Sequence, residues 1–153
     1  MSVATRLTQM GLEIPMPVAP VANYVPFVQS GNLISISGQI PMGADGLDYQ
    51  GKVGDDVSVE EARAAARLCA LNIIAQLNAA TGGNLERVNR IVKLGGFVNC
   101  VDGFTEQPQV INAASDLMVD IFGENGRHSR SAVGVNALPL GVPVEIDALV
   151  EID

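Results

Sequence analysis

The stretch from Ser58 to Gly83 constrains this chain more than any other. Ser58, followed three positions on by Glu61, forms a capping-box pattern, and Val59, Ala62, Ala66, Cys69, Ile73 and Leu77 recur at three- and four-residue steps. Gly82-Gly83 stops the pattern, which predicts an amphipathic helix over 59–81. A helix of that length has to lay its apolar face on something, and the rest of the chain must supply it.

Alternating segments do so. The run "YVPFVQSGNLISISGQIP" (24–41) reads as two β-stretches around a Ser30-Gly31-Asn32 turn, with Ile34 and Ile36 on one side and Ser35 and Ser37 on the other. "RVNRIVKLGGFVNCV" (87–101) is strand-like and interrupted by Gly95-Gly96, where a bulge or a close approach by another group is expected. A second helix is predicted over 107–122, with Pro108 in its first turn, a stripe of Val110, Ala114, Leu117 and Ile121, and Gly123 at its end. Two strands close the chain, "SAVGVNA" and "PVEIDALVEID", joined by the turn "LPLGV". Val144, Ile146, Ala148 and Val150 share one face of the last strand, and Glu145, Asp147, Leu149 and Glu151 share the other.

The order ββ-α-β-α-ββ predicts an α+β sandwich, one sheet with both helices on one face. The opposite face mixes Ser35, Ser37 and Glu145 with Leu33 and Leu149, which implies burial against other subunits. Residues 4–11 could form one or two helical turns, and the Pro-rich "IPMPVAPVA" (14–22) separates them from the rest.

With 153 residues and no internal boundary, the chain reads as a single domain over 1–153. Its net charge of −8, with nine basic residues that form no block, disfavours nucleic acid and anionic membranes as partners. No apolar run of about 18 residues occurs, and the N-terminus lacks a signal layout, so a cytoplasmic setting is the expectation. Cys69 and Cys100 match neither a zinc spacing nor a disulfide framework and read as buried free thiols.

Few residues could carry chemistry. His128, the sole histidine, reads as an exposed loop side chain ahead of a strand. Arg130 opens that strand, where its planar fork could grip a carboxylate or simply pair with one of 17 acidic residues. Glu145 is solvent-facing unless its face is buried between subunits, in which case it needs a partner or a function. If "LPLGV" centres a hairpin, Glu145 sits opposite about residue 136 and about 20 Å from Arg130, so a shared site would have to cross a subunit interface.

"RSAVGVNALPLGVPVEI" (130–146) resembles the C-terminal signature of the Rid family, the reactive intermediate deaminases also called YjgF or endoribonuclease L-PSP proteins: Arg130, Ser131, Val133, Leu138 and Val144-Glu145-Ile146. "GNLISISGQIP" (31–41), with Tyr24 upstream, and "FVNCVDGF" (97–104) resemble two further blocks, so the likeness spans about residues 20–152 and leaves 1–20 as an N-terminal extension. It implies a chorismate-mutase-like fold, a mixed sheet with two helices on one face, and a homotrimer with a central barrel-like core and clefts between subunits.

The resemblance also implies roles. Arg130 would bind a substrate carboxylate and Glu145 would position or activate water. Tyr24, Ser37 and Gly38 would line the pocket, and backbone near Phe97 and Ala132 would supply hydrogen bonds. The implied activity is hydrolysis of enamines and imines of the 2-aminoacrylate type, as in 2-iminobutanoate/2-iminopropanoate deaminases, to 2-keto acids and ammonia, with no cofactor or metal. The alternative is a trimer that binds a small carboxylate without catalysis. Ala132 stands where many active relatives have Cys, and His128 where they have Pro. Low basic content argues against RNA cleavage, and a chorismate-mutase activity would call for several converging cations where only Arg130 is convincing.

Overall fold

Ser58 caps the long helix as its spacing predicts. Its hydroxyl accepts from the Glu61 amide at 3.1 Å, while the Glu61 carboxylate accepts from the Ser58 amide at 3.2 Å. In the computed structural model, which describes residues 1–20 and 22–153, this helix runs Val59–Ala80. Val21, within the Pro-rich segment, lies outside the described residues. The elements in order are α1 (Val3–Met10), β1 (Phe27–Ser30), β2 (Leu33–Gln39), the short pair β3 (Met42–Gly43) and β4 (Gly46–Leu47), α2 (Val59–Ala80), β5 (Val88–Asn99), α3 (Gln107–Phe122), β6 (Ser129–Val135) and β7 (Val144–Ile152).

The main sheet has strand order β1-β2-β7-β5-β6. All neighbours are antiparallel except β5 and β6, which run parallel because α3 crosses over between them. The helices α2 and α3 pack on each other and on one face of the sheet, α2 over β2 and β7, α3 over β5 and β6. Beneath them Val144, Ile146, Ala148 and Val150 are buried, whereas Glu145, Asp147 and Leu149 are only half-covered on the other side, so the two-residue period sorts the faces as expected. That open face carries Val28, Leu33 and Val133 exposed. The predicted α+β architecture, mixed sheet and one-sided helices are therefore present.

One connection differs from the sequence expectation. The last two strands form no hairpin, because β5 lies between β7 and β6, and Glu145 faces Phe97 rather than a residue near 136. A seven-residue parallel ladder from Lys93/Ser129 to Asn99/Val135 occupies the edge of β5 and holds β6 away from β7. At Gly95-Gly96 the close approach is realised and the bulge is not, since the β5–β7 register runs unbroken through both. A Cβ on Gly96 would meet the Ile111 side chain at 2.7 Å, so the missing side chain lets α3 sit down on β5.

The N-terminal extension is part of this packing. Ser2 caps α1, Val3 and Leu7 are buried against the core, and the Val3 amide donates to the Glu86 carboxylate at 2.6 Å. From there the chain crosses α2 towards β2, which brings residues 18–20 to the site described next.

Candidate functional site

Glu145 projects from the open face of β7 into a cleft of ≈ 440 Å³. The cleft exists because β2 slips register between Ile36 and Gln39, so Ser37 and Gly38 bulge out of the ladder beside β7. Gly38 leaves room for the acid, since a Cβ there would lie 2.5 Å from the Glu145 Oε2. Ser37 ties in the neighbouring segment: its hydroxyl donates to the Val25 carbonyl at 2.8 Å and its amide to the Pro26 carbonyl at 2.9 Å. That brings Tyr24, 49% exposed, to the cleft wall. Tyr24, Ser37, Gly38 and Glu145 thus converge, four of the seven residues singled out in the sequence.

Glu145 is half-buried rather than solvent-facing, and among the described residues its carboxylate has no hydrogen-bond or ion-pair partner. Burial, then the like charge of Asp147 two residues on, pushes its carboxyl above the ordinary range. Behind it Cys69 is fully buried with its thiol directed at the Val144 carbonyl, 3.7 Å, and burial holds that thiol well above its ordinary value. Cys69 is therefore an inert packing group, as expected; Cys100 is only partly covered, unlike the buried thiol anticipated, because it lies where β5 ends.

Arg130 and Ala132 do not reach this cleft. Register places Arg130 opposite Leu94 and Ala132 opposite Gly96, both on the helix-covered face, whereas Glu145, Phe97 and Val133 share the open face. Along one sheet Arg130 and Glu145 are three residues and two strand spacings apart, roughly 14 Å between Cα atoms. This corrects the 20 Å expected from a hairpin, and the two side chains point away from each other. Phe97 lies beside Glu145 on β5 without lining the cleft.

Arg130 makes no ion pair among the described residues, contrary to the plain surface reading. Its Nη1 donates to the Ser115 hydroxyl at 3.0 Å and its Nη2 to the Pro108 carbonyl at 3.4 Å, both on α3. His128 is not an exposed loop residue either. Its Nδ1 donates to the Gly126 carbonyl at 2.6 Å, so its Nε2 accepts from the Ser115 hydroxyl at 2.8 Å. Burial first, and then the Arg130 charge, lower the His128 pKa against the opposing pull of the Gly126 bond. A neutral imidazole, a serine hydroxyl and Arg130 therefore form one chain of hydrogen bonds that fixes the guanidinium at the end of a shallow, polar depression.

Two buried polar positions that hold the cleft were not read from the sequence. Asn72 and Gln76, both 1% exposed, sit one turn apart on α2. The Asn72 amide donates to the Ile40 and Met42 carbonyls, each at 3.0 Å, and the Gln76 amide to the Val18 carbonyl at 2.9 Å. Both walls of the Glu145 cleft hang from this one helix face. The signal was present, since each polar residue directly precedes a stripe position, Ile73 or Leu77.

The remaining wall is the loop after β6. Lys52 donates to the Asn136 carbonyl and to Asn99 Oδ1, and Gln50 donates to the Leu140 carbonyl at 2.8 Å. Leu140 there has φ +59° and is 60% exposed. Among the described residues no group of three or more His, Cys, Asp or Glu side chains is gathered as a metal site, and no helix is long and apolar enough to cross a membrane.

Comparison with known proteins agrees with this architecture. The family described as "YjgF/chorismate mutase-like, putative endoribonuclease" matches residues 4–151. The chain belongs to that family. It is 49% identical over 152 residues to protein TCP17 of Trypanosoma cruzi, covering 99% of this chain and 94% of that one. The crystal structure of Atu1372 from Agrobacterium tumefaciens superposes with a TM-score of 0.91 at 50% identity, over 99% of this chain and 94% of that chain. One from Shewanella oneidensis MR-1 reaches 0.95 at 39% identity, over 99% and 100%.

Proposed function

We propose that this protein hydrolyses reactive 2-imino acids and their enamine tautomers, acting as a homotrimer in which Glu145 of one copy faces Arg130 of the next. The observation that carries the reading is the pair of unmatched charges. Among the described residues, an unpartnered carboxylate with a raised pKa sits in an apolar-walled cleft, and a guanidinium with no carboxylate partner sits in a separate depression of the same chain. Each is half of a site for a small anion bearing an electrophilic carbon. Membership of the YjgF family and the half-apolar open face support the same arrangement.

In this mechanism the substrate carboxylate docks on Arg130 in two parallel hydrogen bonds. An arriving enamine takes a proton from solvent at its β-carbon and becomes the iminium. Glu145, as the carboxylate, accepts a proton from water while the oxygen attacks the iminium carbon. The resulting amino alcohol receives that proton on nitrogen, the C–N bond breaks as the hydroxyl proton returns to solvent, and ammonia and a 2-keto acid leave. Water and substrate are the only reactants this balance needs. Ser37 and Gly38 keep the acid in place, and Tyr24 lines the approach. Backbone groups near Phe97 and Ala132 are assigned the remaining polar contacts.

The test is release of ammonia and keto acid from freshly generated 2-imino acids. Glu145→Gln is expected to lower kcat by at least about a hundredfold and spare keto-acid binding, and Arg130→Ala to weaken that binding by about ten- to a hundredfold. Absence of turnover by folded wild type, with binding intact, would replace the hydrolase with a carboxylate-binding protein.

A further inference from the structure

The walls of the Glu145 cleft are far more apolar than a three-carbon imino acid needs. Val18, Ala19 and Pro20 come from the N-terminal strap, Met42 from the facing wall, and Leu140 stands at the mouth. Two buried amides on α2 hold the strap and the facing wall at a fixed separation, and each leaves its own oxygen, Asn72 Oδ1 or Gln76 Oε1, without a partner among the described residues. Buried unpaired acceptors are costly, so this suspension is retained against a penalty.

Leu140 carries an independent sign of the same kind. A leucine at φ +59° is strained, and the neighbouring Gly141, at φ +70°, shows what this backbone ordinarily favours. The strained residue is clamped through Gln50 at its carbonyl, and through the Gly51 amide, which donates to Gly141 at 2.7 Å. The clamp presents an isobutyl group, 60% exposed, over the opening. At ≈ 440 Å³ the cleft falls in the size range of pockets that enclose whole small molecules.

Resting on the hydrolase reading, we infer that the strap and Leu140 form a subsite for an apolar side chain, so that the preferred substrates are 2-imino acids with branched or long apolar side chains rather than the alanine-derived one. Glu145 and its water then lie at the polar end of the cleft, with the substrate side chain along the strap.

The experiment compares imino acids generated in situ by an amino-acid oxidase from leucine, methionine and alanine. The leucine-to-alanine ratio of kcat/KM is expected to be about tenfold in wild type. Ala19→Phe, which fills the subsite from an exposed position, should bring the ratio to about one. Leu140→Gly, which keeps the positive φ without strain, should lower it several-fold. A wild-type ratio at or below one, or a ratio neither variant moves, overturns the subsite. If no imino acid is turned over, the hydrolase reading falls and the subsite is decided by calorimetry. Binding of 4-methyl-2-oxopentanoate about tenfold tighter than pyruvate sustains it, and equal binding overturns it.

Discussion

The Glu145 cleft and the Arg130 depression are built by opposite means. At Glu145 a bulge, a glycine and apolar walls remove solvent from an acid and offer it no partner, so burial and the neighbouring Asp147 raise its pKa. At Arg130 the cation is tied to α3 through Ser115 and Pro108, and Ser115 is in turn held by a half-buried neutral His128. One region tunes by desolvation and the other orients by hydrogen bonding. The contrast teaches why, under the proposed function, neither suffices alone: Glu145 and Arg130 lie on opposite faces of one sheet, the base apart from the substrate anchor.

Gly38 carries the largest expected effect on the Glu145 side. Gly38→Ala puts a methyl group 2.5 Å from the present carboxylate oxygen and forces Glu145 to move. A displacement of about 1 Å at a reacting group lowers kcat by about a hundredfold, and steady-state kinetics would show this with keto-acid affinity little altered. Unchanged kcat would mean that Glu145 needs no fixed position.

A smaller effect sharpens the desolvation half. Asp147→Asn removes the like charge that helps raise the Glu145 pKa, so Glu145 ionises at lower pH. In the proposed mechanism Glu145 acts as the carboxylate, so the acid limb of the kcat/KM profile should move down in pH, with the plateau unmoved. A downward move of the alkaline limb in place of the acid limb would reassign Glu145 as the proton donor. Stability gives the same sign by a second route. Its raised folded-state pKa makes ionised Glu145 destabilising at neutral pH, a cost that vanishes as pH falls below the ordinary carboxylate value. Thermal melts of Glu145→Gln should therefore exceed wild type at pH 7 and converge with it by about pH 4.

Much of the fold was legible because local signals agreed with it. The Ser58/Glu61 box, the Gly82-Gly83 stop and the alternation in β7 each state a period that packing then satisfied. The order of the last strands was not legible. "LPLGV" looks like a hairpin turn, and only the pairing of β5 with β6, set by the α3 crossover, excludes it. At the site, Tyr24, Ser37, Gly38 and Glu145, which the sequence singles out, line one cleft. The bonds of His128 and Arg130 to Ser115 depend on a residue mid-helix and thirteen to fifteen positions away, which no local pattern announces. Asn72 and Gln76 escaped notice because a polar residue beside an apolar stripe ordinarily faces water.

The most direct test of the central claim, that a working site takes its two halves from different copies, mixes two impaired variants at a substrate concentration where each alone turns over little. Arg130→Ala and Glu145→Gln are each purified, unfolded and refolded together in equal amounts beside unmixed controls. In a cyclic trimer about a quarter of the interfaces would combine an intact Arg130 with an intact Glu145, so the mixture should recover about a quarter of wild-type turnover. A mixture no more active than its components, in properly refolded protein, would contradict the shared site.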